Sequence, residues 1–132
     1  MADVPITVRR GFGRAIHYLH HYSSSAITAG TNKQEWIMGF HGRIVDVICA
    51  SGAAGTGSDG DIIDVNINGT TVYTTQGNRP TLDSGDTGMF AEAGEPEVVT
   101  FVPGDILSYD VDAVAGSGGS SRFKIVIIVA ER

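Results

Sequence analysis

The pattern Asp64-x-Asn66-x-Asn68-Gly69 matches the first half of an EF-hand calcium loop, where alternate oxygen ligands wrap a hard cation and a glycine makes the sharp turn. The second half fails, because the twelfth position is Thr75 where a bidentate glutamate is needed. Val65 and Ile67 between the polar residues are β-branched, which suits a strand better than a calcium loop. Gly55-x-Gly57-x-x-Gly60 spells a dinucleotide fingerprint, but that chemistry needs a following helix to receive the pyrophosphate. The next residues, Asp61-Ile62-Ile63-Asp64, read as a strand start with two carboxylates that repel phosphate. His17, His20 and His21 are the densest set of potential metal ligands; on a helix His17 and His21 stand at i and i+4, and across a threefold axis one histidine per subunit suffices for zinc. No cysteine or carboxylate ligand lies beside them, which favours polar and aromatic contacts with Tyr18 and Tyr22. His41, between Phe40 and Gly42, reads as a strand-end residue.

Hydrolytic chemistry has less support. No G-x-S-x-G elbow occurs, and Asp59 and Asp61 sit in a glycine-rich stretch that offers little rigid support for a perturbed carboxyl. Cys49, the single cysteine, lies inside the apolar run Ile44–Ala50 and reads as a buried thiol, not a nucleophile. Trp36, the single tryptophan, falls in an apparent strand and belongs to a core or an interface. The residues therefore indicate no enzyme, no cofactor and no metal.

The elements that must position these residues are strands. Asp64 to Thr75 reads as a β-hairpin closed by Asn68-Gly69, since a type I′ turn needs positive φ at both central residues. That register pairs Ile63 with Thr74, Val65 with Val72 and Ile67 with Thr70 on one face, and Asp64 with Tyr73 and Asn66 with Thr71 on the other. Glu35–Phe40 and Gly42–Ala50 read as strands with Gly39 and Gly42 marking a bend. Residues 52–60 read as a loop, 76–97 as a long irregular segment, 97–102 as a short strand and Pro103-Gly104-Asp105 as a turn. Ile106–Val114 alternates, with Leu107, Tyr109, Val111 and Ala113 on one side. After a loop at 116–121, Arg122–Ala130 is apolar on both faces and reads as a central strand, or one covered by a symmetric partner. About seven strands with glycine-rich turns predict an all-β, antiparallel β-sandwich or jelly-roll domain over residues 26–132, preceded by an extended N-terminal arm over 1–25.

A length of 132 residues fits one domain. The net charge is −6, but residues 1–25 hold Arg9, Arg10 and Arg14 against Asp3, a balance of +2 that leaves −8 for the remainder. An acidic body with a short basic arm does not suit nucleic acid; it suits an arm that docks on an acidic protein partner. No signal peptide and no membrane-length apolar run is visible, so folding in a cytoplasm is expected.

The run Ala29-Gly30-Thr31, Trp36-Ile37-Met38, Gly42-Arg43-Ile44, Gly55-Thr56-Gly57 and Asp64 to Thr75 resembles β-sandwich modules of tailed-phage virion proteins. Asn78-Arg79-Pro80-Thr81-Leu82, Pro103-Gly104-Asp105-Ile106-Leu107 and Asp110-Val111-Asp112-Ala113-Val114 continue the likeness, which covers about residues 27–131. Such modules occur in capsid decoration (cement) proteins and within head or tail fibres. A free-standing module with an arm favours the former. The resemblance implies a homotrimer on the outer surface of a phage head, assembled in the host cytoplasm, which bridges major capsid proteins without contacting nucleic acid or membrane. The expected arm contacts are Ile6, Val8, Arg9, Arg10, Phe12, Arg14, Leu19 and Tyr22. The alternative is a fibre or adhesin module binding host glycans through loops 52–60, 76–97 and 116–121. A lyase or hydrolase on a jelly-roll scaffold is a third, weaker reading.

Overall fold

The computed structural model describes residues 15–57, 60–83, 90–92 and 94–132, with 90–92 described by backbone alone. The described residues form ten strands: β1 Ile16–Ser23, β2 Gly30–Ile37, β3 Gly42–Ala53, β4 Gly60–Ile67, β5 Thr70–Thr71, β6 Thr81–Asp83, β7 Phe90–Glu92, β8 Thr100–Phe101, β9 Ile106–Ala113 and β10 Ser121–Glu131. Among the described residues the sole helical element is a 3₁₀ turn at Gln76–Asn78. One sheet runs β1-β10-β3-β7 with β8 also on β3; the other runs β2-β9-β4-β5 with β6 also on β4. Every pairing is antiparallel. The two sheets pack face to face as a β-sandwich, as the sequence predicts.

Strict alternation builds the core. Val47 and Cys49 of β3 and Phe123, Ile125, Ile127 and Val129 of β10 point inward from one sheet. Ile63 and Val65 of β4 and Leu107, Tyr109 and Val111 of β9 meet them from the other. Each is at most 2% exposed, and each fully buried Val, Leu, Ile or Phe contributes roughly 1.5–3 kcal/mol relative to exposure. Strand β10 lies between β1 and β3, so its apolar sequence reflects a central position.

The sandwich begins ten residues earlier than the boundary of 26 read from the sequence. Ile16–Ser23, assigned there to the arm, pairs along its whole length with β10, from Ile16 opposite Ala130 to Ser23 opposite Phe123. The alternation of tyrosine, histidine and leucine is too weakly contrasted in hydropathy to announce a strand, and the pairing partner lies a hundred residues away. β1 forms because β10 offers it a complete row of backbone donors and acceptors.

The Asn68-Gly69 turn forms as predicted, with φ of 51° and 81°. Ile67 pairs with Thr70, Asn66 with Thr71, and the Val72 N–H donates to the Val65 carbonyl at 2.9 Å. The hairpin stops there. Tyr73 turns into the core and is fully buried, so the expected pairs Ile63–Thr74 and Asp64–Tyr73 do not form. The Ile63 N–H donates to Pro80 O instead, and β6 takes the vacated edge with Ile62 opposite Thr81. Burying a whole aromatic ring outweighs two further ladder pairs.

Candidate functional site

Two solvent-side sheet faces of opposite character hold the functional candidates. On the outer face of the second sheet, β4 and β9 place Asp64 directly opposite Asp110 and Asn66 opposite Ser108, with Asp112 two residues further along. The oxygens of Asp64, Asp110 and Asp112 lie within 4.8 Å of one another. Each carboxylate has donors of its own. Asp110 accepts from the Asn32 backbone N–H at 2.8 Å and from Asn66 Nδ2 at 2.9 Å. Asp112 accepts from Arg79 Nη1 at 2.6 Å, and Arg79 Nε also donates to the Gln76 carbonyl. Asp64 accepts from the Thr71 hydroxyl at 2.6 Å and from its neighbour's N–H at 2.9 Å. Burial pushes the Asp64 carboxyl above its usual range and Asp112 adds repulsion; Thr71, the Val65 N–H and Arg79 pull the other way. Oxygen ligands of this kind suit a hard divalent cation in principle. Here the counter-charge is Arg79, and the network closes on the protein itself.

The polar alternation of Asp64-Val65-Asn66 and Asp110-Val111-Asp112 was visible in the sequence, but the pairing that joins the two runs spans more than forty residues and was not. Asn68 also acts outside the hairpin: its Nδ2 donates to Asp105 Oδ1 and its Oδ1 accepts from the Ile106 N–H, both at 2.9 Å. The half-match to a calcium loop is thus a strand and a turn whose oxygens are used within the sheet.

The outer face of the first sheet is apolar. Ile16, Tyr18 and Tyr22 of β1 are each about half exposed, at 49%, 57% and 52%, and Val45 of β3 joins them at 44%. Between them Val126 and Ile128 of β10 and Ile48 of β3 are half-buried. Arg43, Arg122 and Lys124 project from the same face, and Lys124 Nζ stands 5.4 Å from the centre of the Tyr22 ring. A bulge opposite Ile128 brings Asp46 to this side.

Of the arm residues expected to make contacts, Leu19 faces inward and packs against the core, whereas Tyr22 faces out. Ile6, Val8, Arg9, Arg10, Phe12 and Arg14 lie outside the described residues. The histidines stand on a strand, so His17 and His21 are separated by about 13 Å along it and do not share a ligand position. His17 stacks on Phe40 and meets Glu131 at 2.9 Å; His21 Nδ1 meets the Tyr109 hydroxyl at 2.7 Å. These are polar and aromatic contacts, but with Phe40, Glu131 and Tyr109 in place of the expected Tyr18 and Tyr22; His20 alone lies near Tyr18, with ring centres 6.5 Å apart. Trp36 packs against the core beside Tyr109. Burial raises the Cys49 thiol far above its ordinary value.

Asp61 lies in β4, in line with its strand-start reading, but it does not lack the rigid support expected of a glycine-rich stretch: it is fully buried and accepts the backbone N–H of Ala115 and of Ser120, both at 2.9 Å. It clamps the 115–120 loop, which in turn pairs Gly118 with Thr56 and holds Ile27 through the Ser120 carbonyl. Loops 52–60 and 116–121 therefore meet at one end of the sandwich. Ala15, where residues 1–14 join, bonds to Glu131 at the opposite end. A cleft of about 120 Å³ opens between the sheets beside His21, Lys33 and Tyr109, below the range of roughly 300–1,000 Å³ typical of ligand pockets.

Fold and faces together define an antiparallel β-sandwich with one acidic outer face and one apolar outer face framed by cations. Comparison with protein-family models, curated proteins and solved structures returned no match.

Proposed function

We propose that this chain is a structural, non-enzymatic protein of a tailed-phage virion, one that decorates the outside of the head as a homotrimer and stabilises it by bridging major capsid proteins. The observation that carries the reading is the apolar outer face of the β1-β10-β3 sheet, framed by tyrosines and cations. Aromatic, aliphatic and arginine side chains in one patch are the composition of protein–protein interfaces. The likeness of the strand and turn sequences to phage virion modules supplies the kind of particle.

The test is uptake by heads of the phage that encodes the chain, purified without the protein. Wild-type protein is expected to bind in hundreds of copies per head, counted by electron microscopy, and to raise the temperature at which the heads release DNA. A few dozen copies, confined to vertices or tail, would instead indicate the fibre reading, and a glycan array probed with the isolated protein separates that case further. Heads that take up none refute both. The arm is tested by truncation at Ala15: removing 1–25 would also strip β1 from β10 and expose a long apolar edge.

A further inference from the structure

We infer that the outer face of the β1-β10-β3 sheet is the docking surface for an acidic protein partner, with Tyr18, Val126 and Ile128 as its apolar centre and Arg43, Arg122 and Lys124 as its cationic frame. The inference rests on the decoration reading and assigns its contact surface, which belongs to the sandwich as well as to the arm.

Charge decides the occupant. Residues 26–132 hold six cationic residues against fourteen acidic ones, and three of those six project from this single face. Among the described side chains Asp46 is its one carboxylate. A basic, apolar face on a chain of net charge −6 is complementary to an acidic surface with apolar anchors. A second copy fits poorly. Pairing the face with itself sets one cationic frame against another of the same sign. Seating it on the acidic outer face of another copy's second sheet joins opposite sides of the sandwich, which propagates as an open stack and does not close. Nucleic acid and anionic membrane fit no better, because the remainder of the molecule repels both at long range.

By area the face makes part of an interface. Three strands spaced about 4.8 Å apart over eight residues make a patch on the order of 300–400 Å². A specific interface buries roughly 800 Å² per partner.

The experiment measures binding of full-length protein to the purified heads at 50 and 200 mM NaCl. Wild type is compared with the face double variant Arg43→Glu/Lys124→Glu, with Tyr18→Ala, and with Ile37→Lys on the opposite sheet as control. Circular dichroism confirms that each is folded, as expected for exposed positions. The face variants are expected to bind at least tenfold more weakly, the salt dependence to shrink in the double variant, and the control to stay within twofold of wild type. If wild type binds and the face variants match it, the face is wrong and the decoration reading stands. If wild type does not bind, the decoration reading falls. An oligomer that the face variants dissociate in solution would give the face to a second copy, and wild-type binding to phosphatidylglycerol vesicles would give it to a membrane; either overturns the inference.

Discussion

Removing the Asp61 carboxylate should cost more than any other single polar deletion in the described chain. The residue is fully buried, and its two oxygens each accept one backbone N–H, from Ala115 and from Ser120, at 2.9 Å. Hydrogen bonds to a charged acceptor contribute about 1.5–3 kcal/mol each, so Asp61→Ala is expected to lose about 3–6 kcal/mol by stranding both amides away from water. Asp61→Asn keeps one acceptor and sets an NH₂ against the other amide, so about half that loss, or somewhat more, is expected. Relief from burying a lone carboxylate opposes both figures and keeps them at the lower end. Urea denaturation followed through Trp36 reads the effect. With a slope of about 1.5 kcal/mol per M, a 3 kcal/mol loss moves the midpoint down by about 2 M. Hydrogen exchange supplies the local readout, because the Ala115 and Ser120 amides should lose protection before the β10 core does. A loss below about 1 kcal/mol for Asp61→Ala, or unchanged protection of those two amides, would refute the clamp.

Two glycines should respond to alanine for different reasons. At Gly69, φ is +81° and nothing lies within 4 Å of an added Cβ, so the cost is the left-handed backbone alone, about 1–2 kcal/mol by denaturation. At Gly42 the added Cβ meets the Ala130 carbonyl at 2.5 Å, and a larger loss is expected because a sheet strand must move. Tyr73→Phe removes a buried hydroxyl that has no partner, and a gain of roughly 1 kcal/mol is expected; a loss would show a bond that the fold does not display. Asp64 carries a carboxyl raised chiefly by burial, so the fold favours its protonated form: its contribution is full below the unfolded carboxyl range and is lost as pH rises through the folded value. Asp64→Asn should therefore raise the melting temperature more at pH 7 than at pH 3, and an equal change at both would contradict the sign. Cys49, fully buried with its thiol raised by burial, should resist a thiol reagent in native buffer and react fully in denaturant.

Local chemistry settled much of this protein. Asn68-Gly69 is a type I′ turn because few other pairs accept two positive φ values in succession. The alternation of Leu107, Tyr109 and Val111 sets which side of β9 faces the core, and the β-branched run from Ile125 to Val129 fits a strand flanked on both edges. All-β architecture follows from these periods, since helices need a different one.

Tertiary structure decided what depends on distant partners. Whether Ile16–Ser23 is arm or strand turns on β10, whose backbone donors lie more than a hundred residues downstream. Asp61 reads as a carboxylate with little rigid support until the 115–120 backbone closes over it, and Tyr73 reads as a hairpin residue until the gap between the sheets offers its ring a place. The same holds for the proposed docking face. Tyr18, Tyr22, Lys124 and Arg43 are scattered in the chain and carry no motif; strand order alone gathers them on one face. Periodicity is a property of neighbours along the chain, so the sequence determines the strands and their sides. Pairing is a competition among all strands for edges and core, and only the folded molecule shows its outcome.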